Sequence, residues 1–238
     1  VSSAKFKLNF QPIVDLESGE ASHYEMLTRF HDGTPPFEWI CFAEDVGMIT
    51  DFDIAVFERA INYITYKANT NRTKFAVNVS GASIQSAEFF KKMTDLSAKH
   101  KEVSSRILVE ITESTTIDDL DLVASHVSKL QDLGFKCCLD DFGAGSASFQ
   151  YLHKLAVNYV KIDGVYVKNI LESKRDFSMV KNLTQMCKDL DVKVIAEYVE
   201  TQEHAQKLKD IGVDYGQGYY FDKPLEQPNY TPKKIKSR

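Results

Sequence analysis

Apolar and polar positions along the chain follow two rhythms. Phe6-Lys-Leu-Asn-Phe-Gln-Pro-Ile-Val14 and residues 21–30 read as strands, and the polar stretch 15–20 between them reads as a turn, which predicts a hairpin. After it, apolar strand-like runs alternate with segments of helical periodicity. Strands are expected at 74–80, 106–112, 136–142, 159–163, 193–199 and 215–221. Helical segments are expected at 36–69, 83–100, 118–133, 146–155, 165–190 and 201–211. Apolar strands separated by amphipathic helices predict a parallel sheet covered on its outer side. Eight such strands in 238 residues point to a closed TIM-like (β/α)8 barrel, and the hairpin makes one strand near the N-terminus antiparallel. A doubly wound open sheet is the alternative, but no Gly-rich phosphate loop follows an early strand.

The stretch Lys136-Cys-Cys-Leu-Asp-Asp-Phe-Gly-Ala-Gly145 is hard to place in a regular strand. Side chains alternate between the two faces of a strand, so Asp140 and Asp141 cannot both face solvent. A strand end and turn is the simplest account. The other strand ends argue for more. They offer Glu25, Asn78, Glu110 (with Glu113 just beyond), Lys161, Glu197 and Gln217. Each alone has an ordinary explanation, but a barrel keeps its active site at the C-terminal ends of its strands. In a barrel, five carboxylates, an amide and an ammonium would converge on one cavity. Five anions and one cation do not balance, and hard divalent cations with oxygen ligands, Mg²⁺ or Mn²⁺, would supply the missing charge.

Composition removes other classes of function. The chain is 43% hydrophobic and 26% charged, enough for one large domain over 1–238, which could have been cut from a longer protein. A formal charge of −5 gives no surplus of Lys and Arg for a nucleic-acid polymer, and the one basic run in the sequence is the tail at 233–238. No apolar run approaches the ~20 residues of a membrane span, so no membrane contact is expected of this segment. The four cysteines lack a C-x-x-C and the six histidines lack zinc-site spacing, which suggests reduced thiols, a cytoplasmic setting and no histidine-held metal.

The motifs in order resemble the EAL-domain family of bacterial cyclic-di-GMP phosphodiesterases: Gln11-Pro-Ile, Glu25-Met-Leu, Val77-Asn-Val-Ser80, Val109-Glu-Ile-Thr-Glu-Ser114, Asp140-Asp-Phe-Gly-Ala-Gly145, Val160-Lys-Ile-Asp163, Ala196-Glu-Tyr-Val-Glu-Thr201 and Gln217-Gly-Tyr219. The resemblance implies metal-dependent hydrolysis of cyclic-di-GMP to linear pGpG. It implies that Glu25, Asn78, Glu110 and Asp140 are metal ligands and that Asp141 serves a second ion. Lys161 would hold the attacking water, Glu197 would be general base or ligand, and Gln217 would lie beside them. Gln11, Arg29 and Gln217 would contact substrate, and Glu113 would steady the loop after Asp141. Two Mg²⁺ or Mn²⁺ ions are implied, with Ca²⁺ binding but supporting turnover poorly, and so is a homodimer. Met26, Tyr198, Gly164 and the loop sequence Ala144-Gly-Ser-Ala-Ser148 depart from the family pattern, and none removes a ligand. A sensor that binds cyclic-di-GMP without cleaving it is the alternative. An aldolase using Lys161 as a Schiff-base amine is disfavoured, because surrounding carboxylates raise a lysine pKa.

Overall fold

The structure, a computed structural model, describes residues 6–68, 72–112, 117–143, 148–233 and 235. Glu113 and residues 144–147 of the loop after Asp141 lie outside the described residues. The strands are β1 (Phe6–Asp15), β2 (Ala21–Phe30), β3 (Phe75–Ser80), β4 (Ile107–Thr112), β5 (Lys136–Phe142), β6 (Tyr159–Ile162), β7 (Lys193–Ala196) and β8 (Tyr215–Gly216). They close into a barrel in sequence order. β1 is antiparallel to both neighbours, β2 and β8, and the other pairs are parallel. The expected barrel and its one reversed strand are therefore present.

Helices form the outer layer: α1 (Pro36–Asp45), α2 (Ile49–Tyr66), α3 (Gly81–Gln85), α4 (Ala87–Lys99), α5 (Lys101–Ser104), α6 (Leu120–Asp132), α7 (Ser148–Lys154), α8 (Gly164–Val167), α9 (Lys174–Asp189) and α10 (Gln202–Asp210). Several broad helical expectations divide. The span 36–69 breaks at Gly47, whose φ of 70° is the left-handed conformation that ends a helix. Ser86 ends α3 in an extended conformation, and its hydroxyl accepts the Phe89 N–H to begin α4. The last two strands are shorter than expected: β7 stops at Ala196 and β8 at Gly216. Beyond them the backbone holds together through loop bonds, Val199 N to Gln217 O and Tyr220 N to Val199 O.

Two layers of core follow from strand alternation. Outward residues such as Phe10, Met26, Phe75, Val77 and Val109 pack under the helices. Inside the barrel, Ile13, Ala76, Leu108, Cys138 and Ile195 form a separate cluster with Tyr159 and Tyr215, and His23 lies edge-on to the Tyr215 ring and tilted against that of Tyr159. This inner cluster is the floor of the site.

Candidate active site

Moving two residues along each strand from that floor keeps a side chain on the inner face and raises it one layer. From Ala76, Leu108, Cys138, Tyr159, Ile195 and Tyr215 the step reaches Asn78, Glu110, Asp140, Lys161, Glu197 and Gln217. From His23 it reaches Glu25, and from Ile13 on the reversed β1 it reaches Gln11. The strands, or for Glu197 and Gln217 the residue just past the strand end, thus bring polar side chains to the same end of the barrel.

Lys161 sits at the centre, 1% exposed. Its Nζ lies 3.0 Å from Glu197 Oε1, 3.3 Å from Glu25 Oε2, 3.4 Å from Asp140 Oδ1 and 3.6 Å from Glu110 Oε2. Asn78 Nδ2 donates to Glu25 Oε1 at 2.7 Å, and Gln217 Nε2 donates to Glu25 Oε2 at 2.6 Å and to Gln11 Oε1 at 3.1 Å. Gln11 Nε2 in turn donates to the Asp222 carbonyl. Arg29 stands apart: its guanidinium donates to the Thr28 carbonyl, and it lines a neighbouring cavity of about 290 Å³ together with Asn78, Met26 and Asp141. Phe37, Ile40 and Cys41 of α1 form the apolar wall of that cavity. Helical periodicity places α1 on the sheet but does not show that this wall adjoins the site. In the structure Phe37, just after Pro36, is 76% exposed.

The adjacent aspartates are accommodated by a bulge. Leu139 pairs with Val160 and Phe142 with Ile162, so Asp140 and Asp141 together oppose the single residue Lys161. Asp141 takes φ 51°, a left-handed conformation that Asp tolerates better than most residues, and its N–H donates to Asp140 Oδ1 at 2.9 Å. The extra residue lets both carboxylates stay at the catalytic end, which a regular strand forbids.

Burial and mutual repulsion shift the charges. Burial pushes Asp140 up to about 7, reinforced by Glu197, Glu25 and Asp141 and opposed by Lys161. Asp141 is raised to about 6 by burial and then by Glu197. Glu110, fully buried, is driven well above the carboxylate range by burial and then by its acidic neighbours, against the pull of Lys161. Burial also pushes Glu25 up, but Lys161 and the amides of Gln217 and Asn78 outweigh it and hold Glu25 low. For Lys161 burial pulls downward, yet Asp140, Glu110, Glu25 and Glu197 together raise it well above the lysine range. This direction runs against the depressed pKa that a Schiff-base lysine needs.

The residues present fit divalent cations in kind. The donors are oxygens, carboxylates outnumber ammoniums, and both oxygens of Glu110 and Oε1 of Gln217 are buried without a hydrogen-bond partner. Among the described residues no three acidic, His or Cys side chains are already drawn together as a ligand cluster; Lys161 occupies the middle of the carboxylates instead.

In cation-free protein these groups make stability depend on pH. Asp53 belongs to the same account: buried beneath β3, it accepts the Ser80 N–H at 2.9 Å and is raised to about 6, mainly by burial. Asp53, Asp140 and Asp141 bind protons more tightly folded than unfolded. Their stabilisation is complete below the unfolded pKa and is lost as pH rises through about 6 to 7. His23, held neutral by burial with its pKa lowered to about 3, acts oppositely and costs stability as pH falls below the unfolded value. Glu110, raised as well, acts in the same direction, and four carboxyls outweigh one imidazole, so the melting temperature in chelator should fall from about pH 5 to about pH 7.5. A flat or rising profile would refute this charge arrangement.

Two residues beside Glu197 are mutually fitted. Gly164 N–H donates to Glu197 Oε2 at 3.4 Å, and a Cβ on Gly164 would stand 2.8 Å from the Cβ of Tyr198. Tyr198 has φ 57°, and Lys168 Nζ lies 5.6 Å from its ring centroid. A side chain at 198 therefore requires none at 164. Gly164→Ala should cost about 1–3 kcal/mol through overpacking and displace Glu197, whereas Tyr198→Gly should restore both stability and rate in the double variant. A double-mutant cycle of melting temperature and turnover tests this, and additive losses would contradict the coupling.

Comparison with known proteins agrees with this geometry. The model of the family described as the EAL domain matches residues 1–224. The chain is 32% identical over 233 residues to cyclic di-GMP phosphodiesterase PdeB of Shewanella oneidensis, covering 94% of this chain and 27% of that protein. It spans 27–33% of the length of the first curated relatives it matches. The crystal structure of an EAL domain protein from Listeria monocytogenes superposes with a TM-score of 0.80 at 29% identity, covering 93% of this chain and 89% of that one. A standalone versatile EAL protein from Vibrio cholerae, in its c-di-GMP-bound form, superposes with a TM-score of 0.84 at 27% identity, covering 96% and 97%. With a family match over nearly its whole length, and with the motif residues gathered at one end of a barrel of this form, the chain belongs to the EAL domain family.

Proposed function

We propose that this chain hydrolyses cyclic-di-GMP to linear pGpG with Mg²⁺ or Mn²⁺, two ions per site. The observation that carries the reading is the buried ring of Glu25, Glu110, Asp140 and Glu197 around one ammonium, with the oxygens of Glu110 lacking hydrogen-bond partners. The names of its relatives supply the substrate. In this reading Glu25, Asn78, Glu110 and Asp140 hold one ion and Asp141 serves the second. Bound cations would neutralise the phosphodiester and make hydroxide available near neutral pH.

The chain's own residues do the rest. Glu197, the most solvent-accessible of the four carboxylates around Lys161, accepts the proton of the attacking water. Lys161 donates a hydrogen bond to that water and offsets charge as it develops on the phosphoryl oxygens. Water adds at phosphorus, one phosphorus–oxygen ester bond breaks, and the ribose hydroxyl leaves with a proton. Gln11, Arg29 and Gln217 hold the substrate, and Gln217 also orients Glu25. The homodimer and the cytoplasmic location belong to the same reading; no helix among the described residues is long and apolar enough to cross a membrane.

The test is purified protein with cyclic-di-GMP and Mg²⁺, Mn²⁺ or Ca²⁺, with nucleotides separated over time. Appearance of pGpG with the first two ions and little with Ca²⁺ is expected. Tight binding without cleavage under any ion would establish a sensor instead.

A further inference from the structure

The opposite end of the barrel holds a second cavity, of about 770 Å³, open to solvent. Its walls come from the segment before β3, from the start of β4 and from the α4–α5 junction, and they carry Arg72, Lys74, Lys99, Lys101 and Arg106. Among the described residues Glu102 is the one acid in the lining. Among the described residues none of these five cations forms an ion pair, although the protein as a whole is acidic at −5. A basic residue in the last turn of α4 is ordinary, since Lys99 complements the helix dipole there. That reason does not extend to the other four. Arg106 is moreover fixed in place, donating through Nε to the Thr73 carbonyl and through Nη2 to the Ala68 carbonyl, each at 2.9 Å.

Five unpaired cations around one concavity repel one another, and an anion relieves that repulsion. We infer that this cavity binds a polyphosphate anion of the nucleoside triphosphate class. Net local charge near +4 matches a triphosphate rather than a single phosphate, since five cations face one carboxylate. The volume falls in the range of small-molecule sites, and Ile64, Ala98 and Val103 supply apolar lining beside the charges. The site is separate from the catalytic end: from Lys74 to Asn78, four residues of β3 rise about 13 Å along the barrel wall. The linear sequence does not display this patch, because segments 72–74 and 99–106 meet only when β3 and β4 pair.

The experiment is calorimetry in chelator, where no divalent cation can draw phosphates to the catalytic end. GTP, ATP, inorganic tripolyphosphate and orthophosphate are titrated into the wild type and into Arg72→Glu/Lys99→Glu/Lys101→Glu. These side chains are exposed, and unchanged cyclic-di-GMP turnover with Mn²⁺ would confirm that the variant is folded. Triphosphates should bind, orthophosphate should bind far more weakly, and the variant should lose at least about 30-fold in affinity. Each reversal exchanges an attraction of roughly fivefold at 4 Å in water for a repulsion. A nucleotide that binds more tightly than tripolyphosphate would place the base on the apolar lining; equal affinities would leave the triphosphate as the recognised group. No binding, or equal binding by the variant, would overturn the inference. Co-sedimentation with anionic phospholipid vesicles without any response to soluble triphosphate would overturn it in favour of a lipid surface.

Discussion

Lys161→Met should abolish hydrolysis and destabilise the cation-free protein by about 3–5 kcal/mol, the usual cost of leaving buried charges without their partner. Lys161 Nζ lies within 3.6 Å of four carboxylates, and Glu110 among them is fully buried. Without the ammonium, those acids must protonate or repel. Methionine approximates the volume and leaves the floor of Tyr159, Cys138 and Leu108 packed, so the loss is mainly electrostatic. Millimolar Mn²⁺ should recover much of the melting temperature, because a ligand that binds only the native state stabilises it by mass action. Wild-type protein should gain too, by a smaller amount. Equal melting temperatures for variant and wild type in chelator would show that Lys161 does not hold the carboxylates together.

Glu197→Gln should lower turnover by about 10²–10⁴-fold, the range for loss of a general base, while cyclic-di-GMP binding measured in Ca²⁺ survives. The amide keeps the shape of Glu197 and can still meet the Gly164 N–H and Lys161, but it cannot accept a proton. Glu25→Gln should differ by weakening cation affinity as well, since Glu25 accepts from Asn78 and Gln217 and stands 3.3 Å from Lys161. Calorimetry beside rate measurements separates the two effects. Hydrolysis by Glu197→Gln at the wild-type rate would remove Glu197 from the chemistry.

Much of this architecture is legible in the order of residues. Alternation within the apolar runs puts Asn78, Glu110, Asp140 and Lys161 on the same face as Ala76, Leu108, Cys138 and Tyr159, whatever the sheet does next, because side-chain direction repeats every two residues. The number of runs and the hairpin at the start dictate a barrel with one reversed strand. Residue type then limits the chemistry, since carboxylates within apolar strands need cationic partners.

Long-range contacts decided the rest. The sequence could not show that β7 and β8 would end at Ala196 and Gly216, because beyond them the backbone turns to loop bonds between the two neighbouring segments. Nor could it reveal the bulge that turns Asp141 to the same end as Asp140, which depends on the register between β5 and β6. The fit of Tyr198 over Gly164, and the meeting of Arg72 and Lys74 with Lys99, Lys101 and Arg106, join residues more than 20 positions apart. Local periodicity determines which face a side chain takes. Only closure of the barrel determines which faces meet.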